Sequence, residues 1–335
     1  MGTLRRLEEM ATPDIGYCRI STIILNWNGK RWLKNCLASI LRQDVNEPFE
    51  VLLVDNGSTD DSLQYVKDQF PKVKVIELGK NYGFAEGNNR GLKYAQGEYV
   101  IFVNTDTEAQ TGWLKNLLRA ARQYPNYQIL CSMQLPAQAE NRIMSLDVFG
   151  DVATARQESH QPITDSLFAS GACFLIRREW IEKCGYLFDP YYFFGAEDVE
   201  MSLRTILMGG GIGDVRDSRI YHYVGGAQFP SFWSFSLRTR NLLLTYYKLF
   251  TPKNFVRMLL VHFAYIAARL GARPKKIKNT LGMVKGLFDF FTCFYRYRKY
   301  KIEFMRNKRR SDEYVFKRFL CEKDIHKAIR FIYRY

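Results

Sequence analysis

The chain has 335 residues, of which 47% are hydrophobic and 25% are charged, and its net charge is +15. These proportions are ordinary for a folded protein, so they argue against a disordered chain and leave room for one large domain or two smaller ones. The first 14 residues are polar, and the seven cysteines form no CxxC pair. We therefore expect no signal peptide and a reduced, cytosolic protein.

The charge is distributed unevenly along the chain. Residues 231–335 carry 25 Lys and Arg against 6 Asp and Glu, a balance of +19, whereas residues 1–230 carry 24 against 28, a balance of −4. The sequence therefore predicts two parts, residues 1–230 and residues 231–335, that meet different partners.

Three short apolar segments near the N-terminus predict strands: Thr22–Leu25, Val51–Val54 and Val73–Leu78. The first runs into the turn sequence NWNG (26–29) and the second into DNGSTD (55–60), where Ser58 or Thr59 is expected to cap the next helix. Between these two strands, apolar residues recur at helical spacing: Leu33, Cys36, Leu37, Ile40 and Leu41. The alternation of strands and helices predicts an α/β fold with a parallel sheet.

The segment NYGFAEGNNRG (81–91) is rich in Gly and Asn and leads into a predicted short helix, Leu92–Ala95. A plain surface loop can have this composition. It is equally typical of backbone that approaches a ligand closely at a helix N-terminus. The residues leave both interpretations open.

The segment EYVIFVNTDTE (98–108) predicts a buried parallel strand, Tyr99–Val103, that ends in Asn104, Thr105 and Asp106. Ligands of open α/β sheets bind outside the carboxyl ends of the strands. An acidic residue at that edge suits Mg²⁺ or Mn²⁺ held against a diphosphate, because hard cations prefer oxygen ligands. The other interpretation is an Asp that caps the helix predicted near Trp113.

The second half of residues 1–230 contains a predicted strand, Gly171–Arg177, a helical turn, Trp180–Cys184, and the segment FFGAED (193–198) before a helix. Two adjacent carboxylates at a helix N-terminus usually stabilise the helix dipole. The glycine-rich run at 209–213 follows a helix and not a strand, so we interpret it as a helix stop and turn and not as a dinucleotide loop.

Seven segments, in this order, resemble the family 2 glycosyltransferases of GT-A fold, and most of all their rhamnosyltransferase-like branch. They lie between about residues 20 and 226: ILNWNG, VLLVDNGSTDDS, NYGFAEGNNRGL, GEYVIFVNTDTE, GACFLIRREWIEKCGYLFD, FFGAEDVEMSLR and YHYVGG. The resemblance implies a GT-A domain over residues 1–230, with a nucleotide-sugar half (about 20–110) and an acceptor half (about 111–230). It implies a Rossmann-like, mainly parallel sheet flanked by helices, followed by a basic helical extension, residues 231–335.

The resemblance also implies roles for individual residues. Asp55 matches the residue that holds the nucleobase, Asp106 matches the last carboxylate of the DXD metal motif, and His222 matches a further metal ligand. Asn104 stands where the motif has its first Asp, so one carboxylate is left there to hold Mg²⁺ or Mn²⁺. In the ED pair, Asp198 matches the general base of inverting members, beside Glu197. The residues expected to bind the nucleotide sugar are Asn26, Trp27, Asn28, Asp55, Asn56, Gly83, Asn88, Asn89, Asn104 and Thr105.

The basic extension mixes Phe and Tyr with Lys and Arg in segments predicted to be helical: Phe232–Phe250, Phe255–Leu270, Leu281–Lys301 and Tyr314–Tyr335. The apolar run between Arg257 and Arg269 is too short to cross a bilayer. Three interpretations remain. The extension could be an interfacial helix pair on an anionic membrane, a surface that binds nucleic acid through phosphate contacts and stacking, or a helical extension that packs on the catalytic domain or a second subunit. We favour the membrane and expect no nucleic-acid partner.

The sequence thus predicts a metal-dependent inverting glycosyltransferase that uses a nucleoside-diphosphate sugar and a glycan or lipid-linked acceptor, as in bacterial surface polysaccharide synthesis. We expect a cytoplasmic protein, peripheral on the inner face of the plasma membrane and able to form oligomers. The alternative is a non-catalytic sugar-nucleotide-binding or scaffold protein of the same fold.

Overall fold

The computed structural model describes residues 19–136, 143–146, 152–155, 161–223, 230–272 and 277–319. The strands in these residues are β1 (Ile20–Asn26), β2 (Phe49–Asp55), β3 (Lys74–Glu77), β4 (Tyr99–Asn104), β5 (Thr107–Ala109), β6 (Tyr127–Pro136), β7 (Ile143–Leu146), β8 (Val152–Ala155), β9 (Ile163–Ser166), β10 (Cys173–Arg177) and β11 (Gly211–His222). The helices are α1 (Lys30–Leu41), α2 (Ser62–Gln69), α3 (Gly83–Leu92), α4 (Trp113–Gln123), α5 (Arg178–Cys184), α6 (Glu197–Leu207), α7 (Ser231–Leu249), α8 (Pro252–Ala272), α9 (Ile277–Cys293), α10 (Arg298–Asn307) and α11 (Asp312–Phe319).

The main sheet has the order β3-β2-β1-β4-β10-β6-β11-β5, with β9 beside β11, and β7 and β8 pair separately. Strands β3, β2, β1 and β4 are all parallel, whereas β10 is antiparallel to both β4 and β6. The predicted α/β fold with parallel pairing through β1–β4 is confirmed, and β10 makes the sheet mixed.

Both faces of the sheet are covered, because every residue from Tyr99 to Val103 on β4 is buried. Alternate side chains point to opposite faces. Ile101 and Val103 lie in one apolar layer with α1 and α4, whereas Val100 and Phe102 lie in the other. The second layer also contains residues of α6 and α7, so the sheet and the first C-terminal helix share one core.

The Gly- and Asn-rich segment is itself a helix, and the predicted helix at Leu92–Ala95 was misplaced. Helix α3 spans Gly83–Leu92 and ends where the prediction began. Its glycines allow close contact with the sheet, because a Cβ at Gly87 would lie 2.8 Å from Leu25 and one at Gly91 would lie 2.6 Å from Val54. The weak helix propensity of Gly is overridden here by tertiary packing.

The helix α2 also differs from the prediction at its N-terminus. Neither Ser58 nor Thr59 caps it, since the residue before the helix is Asp61 and its side chain makes no capping hydrogen bond. The Ser58 hydroxyl instead accepts hydrogen bonds from the Asn26 side chain and the Asn28 amide.

Helices α7 and α9 lie against each other through a pair of glycines spaced four residues apart. A Cβ at Gly282 would lie 2.3 Å from the Phe232 carbonyl oxygen, and one at Gly286 would lie 2.3 Å from that of Ser236. Both contacts are offset by 50 residues, so the two helices run in parallel. Such spacing lets helix backbones approach closely. Within the described residues, no helix is both long and apolar enough to cross a membrane.

Candidate active site

Polar residues lie at the carboxyl ends of the parallel strands β1, β2 and β4, an edge of the sheet that we call the carboxyl edge. Register pairs Asn26 with Asp55 and Leu25 with Asn104, so the three strand ends lie side by side. Asn26 is fully buried, and its Nδ2 donates to Asp55 Oδ1 over 3.2 Å. The amide of Ser58 donates to Asp55 Oδ2 over 3.1 Å. Both oxygens of this carboxylate are therefore held in place, while its role toward a nucleobase stays a prediction.

Asn28 and Asn56 join the loops of this edge to one another. Asn28 has a left-handed backbone (φ 52°), and its Oδ1 accepts the amide of Thr59 over 2.7 Å. Asn56 is buried, donates to the carbonyl of Gly83 over 3.1 Å and accepts the amide of Tyr82 over 2.9 Å. These two side chains hold the loops at this edge together. Their direct contact with a nucleotide sugar stays a prediction.

The predicted residues of α3 also make contacts within the protein. Gly83 has a φ of 81°, and a Cβ there would lie 2.3 Å from the Phe193 carbonyl oxygen. Asn88 is buried and donates to the backbone of its own helix, whereas Asn89 makes two hydrogen bonds with the backbone of Phe188. Gly83 thus lies close to the Phe193 backbone and not to a ligand site that the structure shows. This contact fixes α3 against the loop before α6.

Asp106, which follows β4, lies beside His222, the last residue of β11, while their role as metal ligands stays a prediction. Asp106 is 4% exposed, and its Oδ1 lies 3.5 Å from His222 Nε2. The other ring nitrogen of His222, Nδ1, lies 3.2 Å from Gln134 Oε1. Thr105 is buried and Trp27 half-buried at the same edge. The sequence did not single out Gln134, which lies 88 residues from His222 and belongs to no motif.

The Asp106 carboxylate and the His222 imidazole, which we call the Asp106–His222 corner, fit a hard divalent cation. Such a cation would take its remaining ligands from water and substrate. Gln134 Oε1 lies beside Nδ1 of His222, and Nε2 faces the Asp106 carboxylate. In the tautomer that carries its proton on Nδ1, the Nε2 lone pair would be available to a cation. Across the described ranges, which omit residues 137–142 and 224–229 among others, no group of three or more His, Cys, Asp or Glu forms a closed metal cage. Mg²⁺ commonly binds through one or two protein ligands, water and substrate phosphates.

The ED pair lies at the start of α6, after a turn with two consecutive left-handed residues. Gly195 has a φ of 84° and Ala196 a φ of 68°, which is unfavourable for a residue with a Cβ. Asp198 Oδ2 accepts the amide of Gly171 over 3.1 Å. Glu197 is 6% exposed, and within the described residues its Oε2 has no hydrogen-bond partner. The turn therefore holds one carboxylate in a fixed position and buries the other.

Both carboxyls of the pair hold their protons more tightly than usual. Burial and the neighbouring Asp198 charge raise the pKa of Glu197 to about 8. Burial also raises the pKa of Asp198, while the amides of Gly171 and Val199 and the Arg238 guanidinium oppose the rise. A carboxylate with a raised pKa is a stronger base once it is ionised, which suits general-base chemistry.

Asn241 of α7 supports the turn from the C-terminal side of the chain. This side chain is fully buried, and its Nδ2 donates to the carbonyl of Gly195 over 2.7 Å and to that of Phe194 over 3.2 Å. Its Oδ1 accepts from the Arg240 guanidinium. The sequence did not predict this role. The signal available was one Asn at the start of the apolar run NLLLTYY (241–247).

The ED turn and the carboxyl edge are connected by two residues before β10. Gly171 donates to Asp198, and the carbonyl of the next residue, Ala172, accepts the amide of Asn104 over 2.9 Å. Asp198 therefore lies beside the strand end that precedes Asp106. This brings the predicted base and the predicted metal ligands to one edge of the sheet.

The solved structure of GalNAc-T7 with UDP, GalNAc and Mn²⁺ has the same fold, with a TM-score of 0.62, 17% identity, and coverage of 86% of this chain and 58% of that one. The fold is GT-A, as expected. Residues 21–185 match the model of glycosyl transferase family 2. This segment, just under half of the chain, is similar to glycosyltransferase family 2.

Two curated relatives show the range of the family that the chain resembles. Chondroitin synthase of Pasteurella multocida (strain Pm70) is 26% identical over 222 residues, which are 57% of this chain and 23% of that protein. The N-acetylglucosaminyl-diphospho-decaprenol L-rhamnosyltransferase of Mycobacterium tuberculosis (strain ATCC 25618 / H37Rv) is 29% identical over 204 residues, 51% of this chain and 65% of that one. The chain thus spans less than two thirds of the length of either relative.

Proposed function

We propose that the protein is an inverting glycosyltransferase that moves a sugar from a nucleoside-diphosphate donor to a hydroxyl group of an acceptor. The observation that carries this proposal is that Asp198, held by Gly171, and the Asp106–His222 corner lie at the same edge of a GT-A sheet, linked through the hydrogen bond from Asn104 to Ala172. Asp55 and its hydrogen-bonded surroundings are assigned to the nucleobase.

In the reaction, the acceptor oxygen attacks the anomeric carbon as the bond from that carbon to the diphosphate oxygen breaks. The electron pair leaves with the diphosphate, and the hydroxyl proton passes to Asp198. Gly171 holds the Asp198 carboxylate in place through its amide. Asp106 and His222 would hold Mg²⁺ or Mn²⁺, which when bound neutralises the charge of the departing diphosphate. A single displacement inverts the configuration at the anomeric carbon.

For the acceptor we propose a lipid-linked glycan, with the protein peripheral on a membrane. The rhamnosyltransferase relative acts on N-acetylglucosaminyl-diphospho-decaprenol, as its name states. The excess of Lys and Arg in residues 231–335 suits a surface that carries anionic lipids. A non-catalytic protein that binds sugar nucleotides is the second candidate, because Asn104 leaves Asp106 as the one carboxylate of its motif.

Binding and turnover measurements distinguish the two candidates. Thermal shift with a panel of nucleotide sugars, with and without Mn²⁺, identifies the donor, and release of nucleoside diphosphate from that donor reports turnover. A catalyst releases diphosphate and transfers sugar, whereas a binding protein shows the thermal shift alone.

Asp198→Asn tests the base directly. The Asn amide oxygen can still accept from Gly171, so we expect donor binding near that of the wild type and turnover reduced by about 10²–10⁴-fold. Asp217→Asn is the matched control, since this carboxylate is half exposed and pairs only loosely with Arg119 over 3.7 Å. Full turnover in Asp198→Asn, with weakened donor binding, would contradict the assignment.

A further inference from the structure

Helix α8 presents an apolar stripe to solvent. Val256, Leu260, Phe263 and Leu270 are all exposed, Leu260 by 62%, and they recur at i, i+4, i+7 and i+14. The opposite side of α8 packs on α7, where the ring of His262 lies 5.7 Å from that of Tyr246. The apolar stripe therefore faces away from the catalytic domain.

Helix α9 repeats this arrangement with a stripe of its own. Its exposed apolar residues are Ile277, Leu281, Val284, Phe288 and Phe291, at i, i+4, i+7, i+11 and i+14. Phe288 is 67% exposed, while Gly282 and Gly286 on the other side meet the backbone of α7. Spacing this regular makes a continuous face on each helix. Scattered surface residues would not give it.

The surroundings of these stripes are strongly basic. Residues 252–300 contain 11 Lys and Arg and one acidic residue, Asp289, which is paired with Lys285 over 2.6 Å. Lys253 and Arg257 on α8 and Lys278 on α9 are exposed beside the apolar residues. Apolar side chains bordered by cations are the pattern of helices that lie in the headgroup region of an anionic bilayer.

We propose that the exposed faces of α8 and α9 form one docking surface for an anionic lipid membrane, with both helices lying in the plane of the bilayer. This inference rests on the proposed function, for which it supplies the surface that brings the enzyme to a lipid-linked acceptor. Charge complementarity favours an anionic membrane over a second copy of the chain as the occupant of this surface. A second copy of the chain would place one basic face against another, which costs free energy, whereas anionic lipid relieves that repulsion.

The test measures binding of the full chain to vesicles of phosphatidylcholine with phosphatidylglycerol, by co-sedimentation at low and high salt. We expect the wild type to sediment with these vesicles and only weakly with pure phosphatidylcholine. The double variant Leu260→Asp with Phe288→Asp places charges on both stripes at exposed positions that the fold does not need. We expect its vesicle partition coefficient to fall by about 100-fold.

Tyr94→Asp is the matched control, because Tyr94 is 48% exposed on the catalytic domain, far from α8 and α9 in sequence. It should bind vesicles as the wild type does. Vesicle binding by the double variant equal to that of the wild type overturns the proposal, as does a wild-type chain that stays in the supernatant. The surface is a dimer interface instead if light scattering shows a dimer that the double variant dissociates without losing vesicle binding.

Release of nucleoside diphosphate by the same preparations keeps this inference separate from the proposed function. We expect the double variant to turn over donor with a soluble acceptor at the wild-type rate. If the wild type binds vesicles through α8 and α9 but never releases diphosphate from any donor, the docking surface stands and the proposed function fails.

Discussion

Gln134 contacts the ring nitrogen of His222 that faces away from Asp106. Its Oε1 lies 3.2 Å from Nδ1, whereas Nε2 lies 3.5 Å from Asp106 Oδ1, where the proposed function places a cation. A carboxylate and an oriented imidazole are a small donor set. Under the proposed function the diphosphate and water would supply the remaining ligands of the cation, so we expect metal binding to depend on donor binding.

Asp106→Ala should remove the metal-dependent part of nucleoside diphosphate binding, because no other carboxylate of that motif remains to hold the cation. Calorimetric titration of the diphosphate with and without Mn²⁺ measures this part. Glu108→Ala is the control, since Glu108 lies two residues away and accepts a hydrogen bond from Tyr223 instead. Equal affinity of wild type and Asp106→Ala in the presence of Mn²⁺ would count against the metal site.

Glu197 should make the folded protein less stable as the pH rises. Its pKa is about 8 in the folded chain and near 4.5 in the unfolded chain, so between these values the folded state binds more protons. Stability is then present below pH 4.5 and is lost as the pH rises toward 8, at up to about 1.4 kcal/mol per pH unit.

Glu197→Gln removes this dependence, because the amide is neutral at every pH. We expect the variant to unfold at a higher temperature than the wild type at pH 8, with the difference shrinking toward pH 5. Thermal unfolding followed by circular dichroism at both pH values checks the sign. A variant that is less stable than the wild type at pH 8 would show that the ionised carboxylate is stabilised in the fold.

The motif residues could be predicted from the sequence, and their supporting residues could not. Asp55 ends β2, Asp106 lies two residues after the end of β4, and Asp198 is the second residue of α6, each inside a recognisable segment. Gln134 and Asn241 act through contacts with residues 88 and 46 positions away, and only the packed chain brings such pairs together. Asn28 and Asn89 make hydrogen bonds within the protein that the sequence did not indicate, and their contact with a nucleotide sugar stays a prediction.

At the scale of elements, α7 and α3 hold the ED turn from two sides. Helix α3 donates the amide of Phe84 to the carbonyl of Phe193 over 2.7 Å, and α7 contributes Asn241. The sequence predicted β1–β4, β10 and the helix that begins with the ED pair, but not β5–β9 or β11. It could not predict that a Gly-rich segment would be helical, because the reason lies in the space between α3 and the sheet.

Asn241→Leu should lower kcat while leaving the KM for the donor unchanged, since Asn241 positions the turn and touches no substrate. The change leaves the carbonyls of Phe194 and Gly195 without a donor from α7, and we expect kcat to fall by about 10–100-fold. Ser236→Ala, a buried change on the same helix facing α9, is the control. Loss of stability with an unchanged kcat in the folded fraction would make Asn241 merely structural.

At the scale of the whole molecule, a buried charge network joins the C-terminal helices to the part of the chain with the GT-A fold. Lys248 of α7 is fully buried, 2.7 Å from Asp189 and 2.9 Å from Glu200. Burial would raise the pKa of Glu200, yet Arg204 and Lys248 bring it below its ordinary value. The predicted boundary at residue 230 coincides with the start of α7, but the core continues across it.

Lys248→Met should destabilise the fold by about 3–5 kcal/mol, because it leaves the carboxylates of Asp189 and Glu200 buried with fewer partners. Lys285→Met removes a comparable ion pair at a half-exposed site and should cost under about 1 kcal/mol. Urea unfolding of the two variants gives both free energies. Similar values for the two would mean that the buried network adds little.

The shared core also sets an order of events during synthesis of the chain on the ribosome. The last strand, β11, ends at His222, before any residue of α7 has been made. Until α7 emerges, Glu200 lacks the Lys248 ammonium, and the apolar core that α7 shares with α6 and the sheet lacks the α7 side chains. The nascent chain therefore passes through a stage with uncovered apolar surface, the kind of surface that chaperones exist to shield. The core of the fold is complete only when α7 has packed against it.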